Sequence, residues 1–409
     1  MGLVVFLFAL WLLMGTWLLY CAKFSKNWFW LCFGVLVCAL VVRFFLMDHQ
    51  TSDYTDFLSR WAQFFRDNGG FAGIRQPIGD YNVPYLYFMA AISYLPARDL
   101  YLIKLFSIFF DLLLAFTALR LVRRVYPQRE KLAAGVFCAV LLLPTVVLNG
   151  AYWGQCDSIY AALTLLALAD ALEDRPARSV VWLGVAFSFK LQTIFLIPLW
   201  CVLWYSGRVR FKHLMLFPVS YLATILPALL LGKPLMDILG VYFNQMGLYH
   251  DRLTLNAPSL YAMIPYGVEV NGAFWSKVGI AAAFLFVLGL LAWLFFRRER
   301  LTDEHILTAA LLLAIGVPLF LPYMHDRYFF LADVLAVIWC CPDLRRCPVP
   351  AAVQTASLGG YHAYLLLRYA FPMAWGAWLM LVSLLGVGAW LVYALETSPN
   401  RKKSQKQTR

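Results

Sequence analysis

Residues 179–205 read SVVWLGVAFSFKLQTIFLIPLWCVLWY. This apolar stretch is longer than the about 20 residues that cross a bilayer as one helix, yet Lys190 lies near its middle. Arg178 and Arg208 flank it, and basic residues at the ends of spans mark the cytoplasmic side. If both arginines are cytoplasmic, the stretch must enter and leave the membrane on the same side. We therefore predict a hairpin of two short helices with Lys190 near its turn, because a charge is not tolerated on a lipid-facing span.

The composition of the whole chain points to the same class of protein. Of the 409 residues, 62% are hydrophobic and only 14% are charged, whereas roughly a quarter of the residues of a soluble domain are charged. This excludes a soluble globular enzyme, a disordered chain and a disulfide-rich secreted module. We expect an all-α polytopic membrane protein with about 11–13 transmembrane helices. The clear candidate spans are residues 2–22, 28–47, 100–121, 132–148, 214–231, 274–296, 306–321, 329–341, 351–367 and 373–395. Residues 158–172 form a shorter candidate, and the apolar run 84–96 is too short to cross alone.

The domain organisation is expected to be simple, with one transmembrane domain over residues 1–397. The first extracytoplasmic loop spans 48–82, and a basic cytoplasmic tail spans 398–409. The net charge of +12 is divided among short loops, which predicts orientation and contact with anionic lipid rather than nucleic acid. The chain has no Asn-x-Ser/Thr sequon and no retention signal, so we expect a bacterial inner membrane. The remaining polar residues gather on the opposite side, which predicts a site facing the extracytoplasm.

The first polar motif, DYTDFLSRW at 53–61, follows the second span. Its apolar residues lie at helical spacing, so it is predicted to form an amphipathic helix on the membrane surface, with Phe57 and Trp61 on the apolar face. Asp56 is expected to pair with Arg60 one turn later. Asp53 is interpreted either as the cap of this helix or as a catalytic acid, and the residues alone leave both open.

Two further motifs are turns that lead into apolar helices. GDYNVPYLY at 79–87 combines turn residues with interfacial aromatic residues. NGAYWGQCDS at 149–158 is a tight turn in which Trp153 could stack on a sugar ring, and Gln155 and Asp157 could bind vicinal hydroxyls. The alternative for Asp157 is that it only caps the next helix.

The last two motifs carry cations. Lys190, followed by Gln192, is expected to face a bundle interior or cavity, although a lone lysine can also snorkel to the interface. In PYMHDRY at 322–328, His325 and Arg327 could hold a lipid phosphate, or Arg327 could simply pair with its neighbouring acid. The nine cysteines show neither metal-type spacing nor a disulfide framework, so we predict no metal site.

In this order, the motifs resemble the GT-C superfamily of membrane glycosyltransferases, which use polyprenyl-phosphate sugar donors. The closest resemblance is to bacterial proteins related to the second mannosyltransferase of glycosylphosphatidylinositol synthesis. The endoplasmic-reticulum glucosyltransferases of the N-glycan precursor have a similar motif order. The resemblance covers about residues 48–336 and implies a GT-C-like helix bundle without a cofactor.

The resemblance also implies roles for individual residues. Asp53 matches the family's catalytic base. The positions that match its phosphate-binding motifs are Lys190, His325 and Arg327. The positions that match its sugar- and acceptor-binding motifs are Asp80, Tyr81, Asn82, Trp153, Gln155, Asp157 and Gln192. Two departures stand out: Val83 occupies a position where the family often has proline, and Gln192 lies one residue further from Lys190 than in an adjacent Lys-Gln pair.

The implied reaction is the inverting transfer of one hexose, with mannose favoured over glucose and galactose, to a lipid-linked or cell-envelope glycan acceptor. Because a polyprenyl phosphate leaves readily, one carboxylate suffices as general base, and fixed cations can stabilise the leaving phosphate. A metal held by Asp53 and Asp56 is an alternative. Two other classes of function also stay open, namely a lipid-linked sugar flippase and a transferase or polymerase that moves a preassembled glycan.

Overall fold

Helices account for 78% of the described residues in this structure, a computed structural model, and strands for almost none of them. The structure describes residues 2–247, 252–265 and 267–397. The predicted basic tail, residues 398–409, lies outside these residues. The expected all-α polytopic membrane protein is confirmed.

Long apolar runs form most of the helices, because a helix pairs its backbone polar groups within itself and can therefore lie in lipid. The first nine helices are α1 (Gly2–Cys21), α2 (Lys26–Leu46), α3 (Ser59–Asp67), α4 (Val83–Ile92), α5 (Asp99–Val125), α6 (Glu130–Leu142), α7 (Pro144–Val147), α8 (Asp157–Leu172) and α9 (Pro176–Phe189). The next nine are α10 (Pro198–Tyr205), α11 (Phe211–Leu214), α12 (Leu216–Leu230), α13 (Leu235–Gly247), α14 (Gly272–Phe296), α15 (Asp303–Phe320), α16 (Phe330–Cys340), α17 (Pro348–Leu365) and α18 (Met373–Thr397). Two short strands, β1 (Thr254–Leu255) and β2 (Met324–His325), pair in parallel.

Seven helical segments among the described residues are long and apolar enough to cross a membrane. They are α1, α2, α5, the α11–α12 segment, α14, α15 and α18, and the bent pair Glu130–Leu142 and Pro144–Trp153 would make an eighth. The expected number of 11–13 is larger because several predicted spans form shorter helices. Helices α8 and α16, for example, have only 16 and 11 residues.

The described residues form two compact units within the predicted membrane domain. Unit 1 comprises Met1–Ala169, Ser179–Thr193 and Met215–Leu248. Helix α5 is its core. In its most apolar 18-residue stretch 78% of the residues are buried, whereas the corresponding share in α1 is 17%. Helices α1, α4 and α6 pack against α5. The exposed apolar side of α1 suits contact with lipid tails, which are as apolar as leucine side chains.

Unit 2 comprises Asp170–Arg178, Ile194–Leu214 and Tyr249–Arg409. Its core is α15, in which 83% of the residues of the most apolar 18-residue stretch are buried. Helices α10, α14, α16 and α18 pack around it. The N-terminus of α15 is fixed by a reciprocal capping arrangement of Thr302 and His305.

The stretch 179–205 is broken where the sequence predicts a turn. Helix α9 ends at Phe189, Lys190 follows it, and a short 3₁₀ segment, Leu191–Phe195, precedes α10. The expected pair of short helices with Lys190 at the break is therefore present. That Arg178 and Arg208 lie on the same side of a membrane stays a prediction.

The amphipathic helix predicted in the first loop corresponds to α3, which buries Trp61 and Phe65. Phe57, on the predicted apolar face, is exposed, and its contact with a membrane surface stays a prediction. The preceding segment Tyr54–Leu58 is a π-helical turn, and the wider turn shifts the phase of the side chains around the helix axis. The expected Asp56–Arg60 ion pair is not found among the described residues.

Candidate functional site

Asp53 lies at the start of the π-helical turn Tyr54–Leu58, but its side chain does not cap that turn. Instead, its Oδ2 accepts hydrogen bonds from Trp153 Nε1 at 2.8 Å and from Gln155 Nε2 at 2.5 Å. The interpretation of Asp53 as a helix cap is therefore wrong. The carboxylate is oriented by side chains that come from another motif about one hundred residues later.

That second motif is also π-helical, over residues Leu148–Trp153, and it ends at Gly154. Gly154 has φ +87°, a left-handed conformation that glycine adopts without strain. The resulting turn is closed by Gln155 N, which donates to Asn149 O at 2.8 Å. Thr51 Oγ1 donates to Trp153 O at 3.2 Å and so joins the two π-helical segments directly. Single π-helical turns occur frequently at functional sites.

Lys190 and Asp157 form a buried ion pair next to this turn. The distance from Lys190 Nζ to Asp157 Oδ1 is 2.5 Å, and Asn149 Nδ2 donates to Asp157 Oδ2 at 2.8 Å. Asp157 thus does more than begin helix α8, and Lys190 does not snorkel. Lys190 faces the interior of unit 1, as its position at a helix break predicts.

Tyr81 connects the Asp53 group with the Lys190 group. Its hydroxyl donates to Gln155 Oε1 at 3.3 Å, and Lys190 Nζ lies 5.8 Å from the centre of its ring. The Trp61 ring lies 5.7 Å from the Tyr81 ring. Six predicted site residues are therefore brought together in unit 1. They are Asp53, Tyr81, Trp153, Gln155, Asp157 and Lys190.

Three further predicted residues of unit 1 lie around this group. Asp80 is exposed. Asn82 is buried, its Oδ1 caps α4 by accepting from Val83 N at 2.8 Å, and its Nδ2 donates to Tyr221 Oη at 3.2 Å. Gln192 is also buried, and its Oε1 has no hydrogen-bond partner among the described residues. A buried amide oxygen without a partner costs free energy, which a bound hydroxyl group would recover.

His325 and Arg327 belong to unit 2. His325 lies on β2 opposite Leu255, and its ring lies 5.0 Å from that of Tyr328. Arg327 Nη1 donates to Asp326 Oδ1 at 3.4 Å, which is the local pair considered as the alternative. Their role towards a phosphate stays a prediction.

Four charged or polar residues near the site were not predicted, because they lie inside apolar spans. On α5, Lys104, Ser107 and Asp111 share one buried face, and Arg43 on α2 pairs with Asp111 at 2.9 Å. Ionisable residues within transmembrane segments usually face the bundle interior and mark functional positions. The charges of Arg43, Lys104 and Asp111 within residues 28–47 and 100–121 were the signal that could have revealed this group.

His49 lies between α2 and the first π-helical turn and stacks on Tyr152, with ring centres 3.7 Å apart. Partial burial lowers its pKa below the ordinary value of 6.5, and the nearby Lys104 ammonium lowers it further. We therefore expect a neutral imidazole at this position at neutral pH.

Among the described residues, no cluster of three His, Cys, Asp or Glu side chains could hold a metal ion. That the site works without a metal stays a prediction.

Comparison with known proteins assigns the chain to a family. None of the curated proteins matches it. The model of glycosyltransferase family 87 matches residues 80–322, more than half of the chain. The match includes Tyr81, Gln155, Asp157 and Lys190, begins after Asp53 and is consistent with a GT-C-type membrane glycosyltransferase. The chain therefore belongs to glycosyltransferase family 87.

Proposed function

We propose that this glycosyltransferase transfers a single hexose, with mannose favoured, from a polyprenyl-phosphate donor to an extracytoplasmic glycan or glycolipid acceptor. The active site would face outward from a bacterial inner membrane, and Asp53 would be the general base. The observation that carries the proposal is the Asp53 carboxylate, which accepts bonds from Trp153 and Gln155 instead of capping its helix. Family membership favours this transferase over the flippase alternative.

In the proposed reaction, the acceptor oxygen attacks the anomeric carbon of the donor while Asp53 takes the proton of the acceptor hydroxyl. The bond between that carbon and the phosphate oxygen breaks, and the phosphate leaves with the electron pair. A direct displacement of this kind inverts the anomeric centre. The hydrogen bonds from Trp153 and Gln155 hold Asp53 in one orientation, which keeps the base directed at the hydroxyl.

Lys190 is proposed to bind the leaving phosphate. An ammonium has three N–H donors, and the ion pair with Asp157 uses one of them, so phosphate oxygens can bind in addition. A cation fixed in a buried site stabilises the charge that grows on the phosphate. His325 and Arg327 are proposed as further phosphate ligands.

The sugar and acceptor are proposed to bind the residues around Tyr81. Tyr81 offers a partly exposed aromatic ring, and Gln155 and Asp157 offer polar groups. Trp153, whose ring is buried, is proposed to act through its bond to Asp53. Gln192 supports a ligand here, since its Oε1 is buried without a partner among the described residues. Asp80 and Asn82 are proposed contacts at the edge of this region.

The decisive experiment compares Asp53→Asn with wild type in purified, folded form. Radiolabelled polyprenyl-phosphate mannose serves as the donor, and total membrane lipids of a strain without the gene serve as the acceptor. Parallel donors carrying glucose or galactose test the sugar. Asparagine keeps the shape of the side chain but lacks its basicity, so turnover should fall at least ~100-fold while donor binding persists.

Asp56→Asn is the matched control, because Asp56 lies one turn away and, within the part of the chain that the structure describes, accepts only a local bond from Thr55. It should retain activity. Asp157→Asn tests the main rival base. Near-normal turnover of Asp53→Asn together with an inactive Asp157→Asn would transfer the role of base to Asp157.

A further inference from the structure

Helix α5 carries a column of polar side chains through the core of unit 1. Lys104, Ser107 and Asp111 are spaced by three and four residues, so they lie on one helix face. All three are buried. Burial of such groups is costly unless they are bonded, so their partners show what the column holds in place.

Lys104 binds the end of α2 and the chain that follows it. Its Nζ donates to Leu46 O and Met47 O, both at 3.1 Å, and to His49 O at 2.6 Å. The last carbonyls of a helix have no partner within the helix and carry partial negative charge. One ammonium therefore holds residues 46–49 in place, and Asp53 follows four residues after this segment.

The rest of the column holds the other segment of the site. Ser107 Oγ donates to Gln155 O at 2.6 Å, and Ser158 Oγ donates to Asp111 Oδ1. A Cβ at Gly150 would lie only 3.1 Å from Asp111 Oδ2, so the second π-helical turn is packed closely onto α5. One rigid helix thus fixes both partners of the bond between Asp53 and Gln155.

We infer that Lys104 is a positioning residue for Asp53: it acts through the carbonyls of residues 46–49 and sets where the carboxylate meets Trp153 and Gln155. The inference rests on the proposed function, because it assumes that Asp53 is the base. Loss of Lys104 should misplace the carboxylate without removing any contact to the donor. A displacement of about 1 Å at a reacting group can cost on the order of 100-fold in rate.

The test is a double-mutant cycle on the purified full chain with Lys104→Met and Asp53→Asn. Methionine keeps much of the apolar stem and lacks the three donors. Lys104→Met should lower kcat 10- to 100-fold and leave equilibrium binding of polyprenyl-phosphate mannose within about twofold, since the hydrogen bonds of Lys104 go to backbone carbonyls of residues 46–49. In the Asp53→Asn background, it should change the residual rate little, because the group that it positions is already gone.

Lys233→Met is the matched control. Lys233 is a second buried lysine of unit 1, and its Nζ donates to Ile74 O at 3.2 Å and Gln76 O at 2.8 Å. It should lower the melting temperature without a comparable loss of kcat. An equal loss of kcat in both variants would show a general packing effect and overturn the inference.

Other outcomes separate this inference from the proposed function. If Lys104→Met lowers kcat by the same factor with and without Asp53→Asn, the role of Lys104 is refuted and Asp53 remains the proposed base. Full activity of Asp53→Asn would refute the proposed function itself. If Lys104→Met does not fold, Ser107→Ala replaces it. It removes the bond to Gln155 O and a longer bond, 3.4 Å, to Ile103 O of the same helix, and it should show the same non-additivity with Asp53→Asn. Additivity there would equally overturn the inference.

Discussion

The indole nitrogen of Trp153 lies 2.8 Å from the carboxylate of Asp53, although Asp53 immediately precedes the first π-helical segment and Trp153 ends the second. This bond ties the first loop to the turn before α8. It also gives a specific way to disturb Asp53 without replacing it.

Trp153→Phe should lower turnover on the order of tenfold. Phenylalanine keeps a buried ring but lacks Nε1–H, and a hydrogen bond to a charged group contributes about 1.5–3 kcal/mol. Donor binding should change less than turnover, which steady-state kinetics and equilibrium binding would separate. Trp200→Phe, at another buried tryptophan, is the control and should leave turnover near normal. Equal losses in both variants would contradict an effect through Asp53.

Loss of either charge of the Lys190–Asp157 pair should make the protein less stable. Removing one partner of a buried pair leaves an uncompensated charge and costs about 3–5 kcal/mol. Lys190→Met and Asp157→Asn should therefore each lower the melting temperature, and the double variant should lose less than the sum. Thermal unfolding in one detergent measures this. Additive losses would show that the two side chains stabilise the fold independently.

Binding of the donor phosphate should depend on Lys190 and His325. Lys190→Ala and His325→Ala should each weaken donor use by more than about 1.5 kcal/mol, the low end for a lost charge-assisted hydrogen bond. The measurement is kcat/KM for polyprenyl-phosphate mannose with folded variants. Unchanged values would refute a phosphate role for the residue concerned.

His49 should make the protein less stable in mild acid. Its pKa is lowered in the folded state, so the unfolded chain binds the proton first as the pH falls. Stability should be constant above the ordinary pKa of about 6.5 and decline below it until the folded pKa is reached. His49→Phe keeps a ring against Tyr152 and should remove this part of the pH dependence. Identical melting profiles of both proteins between pH 7.5 and 5.5 would contradict the prediction.

The topology of residues 179–205 is tested by single cysteines in a cysteine-free background. Lys190 is too buried for labelling, so Ile194, which is exposed, reports on the break. Cysteines at Arg178 and Phe211 report on the two ends. The ends should react with an impermeant thiol reagent only from the cytoplasmic side, and position 194 only from the opposite side. Labelling of the two ends from opposite sides would exclude a hairpin.

The sequence was sufficient for the parts of the fold that depend on composition. The helical membrane class follows from the length of the apolar runs. The break follows from Lys190, a charged residue in the middle of an apolar stretch. The sequence predicts 11–13 spans, whereas seven helical segments among the described residues are long and apolar enough to cross, because apolar length alone does not show that a predicted span such as α16 forms only a short helix. The π-helical turn at Tyr54–Leu58 could not be predicted, since such a turn has no clear sequence signature.

Within the site, the sequence identified side chains but not their partners. Asp53, Gln155 and Asp157 stood out as polar residues in turns. The choice between a cap and a catalytic acid needed the contact with Trp153, which joins residues one hundred positions apart. Lys104 and Asp111 were overlooked because the run 100–121 was interpreted only as an apolar span.

The pairing of Arg43 with Asp111 has a consequence for biogenesis. The ribosome completes α2 before it makes α5, so Arg43 is synthesised before its carboxylate partner Asp111. Insertion experiments assign a charged residue near the centre of a helix a cost of about 2.5–3.5 kcal/mol, and Arg43 avoids part of it by lying near the end of α2. The start of the first loop likewise depends on α5, because Lys104 of α5 holds the carbonyls of residues 46–49 and can do so only after α5 has been made.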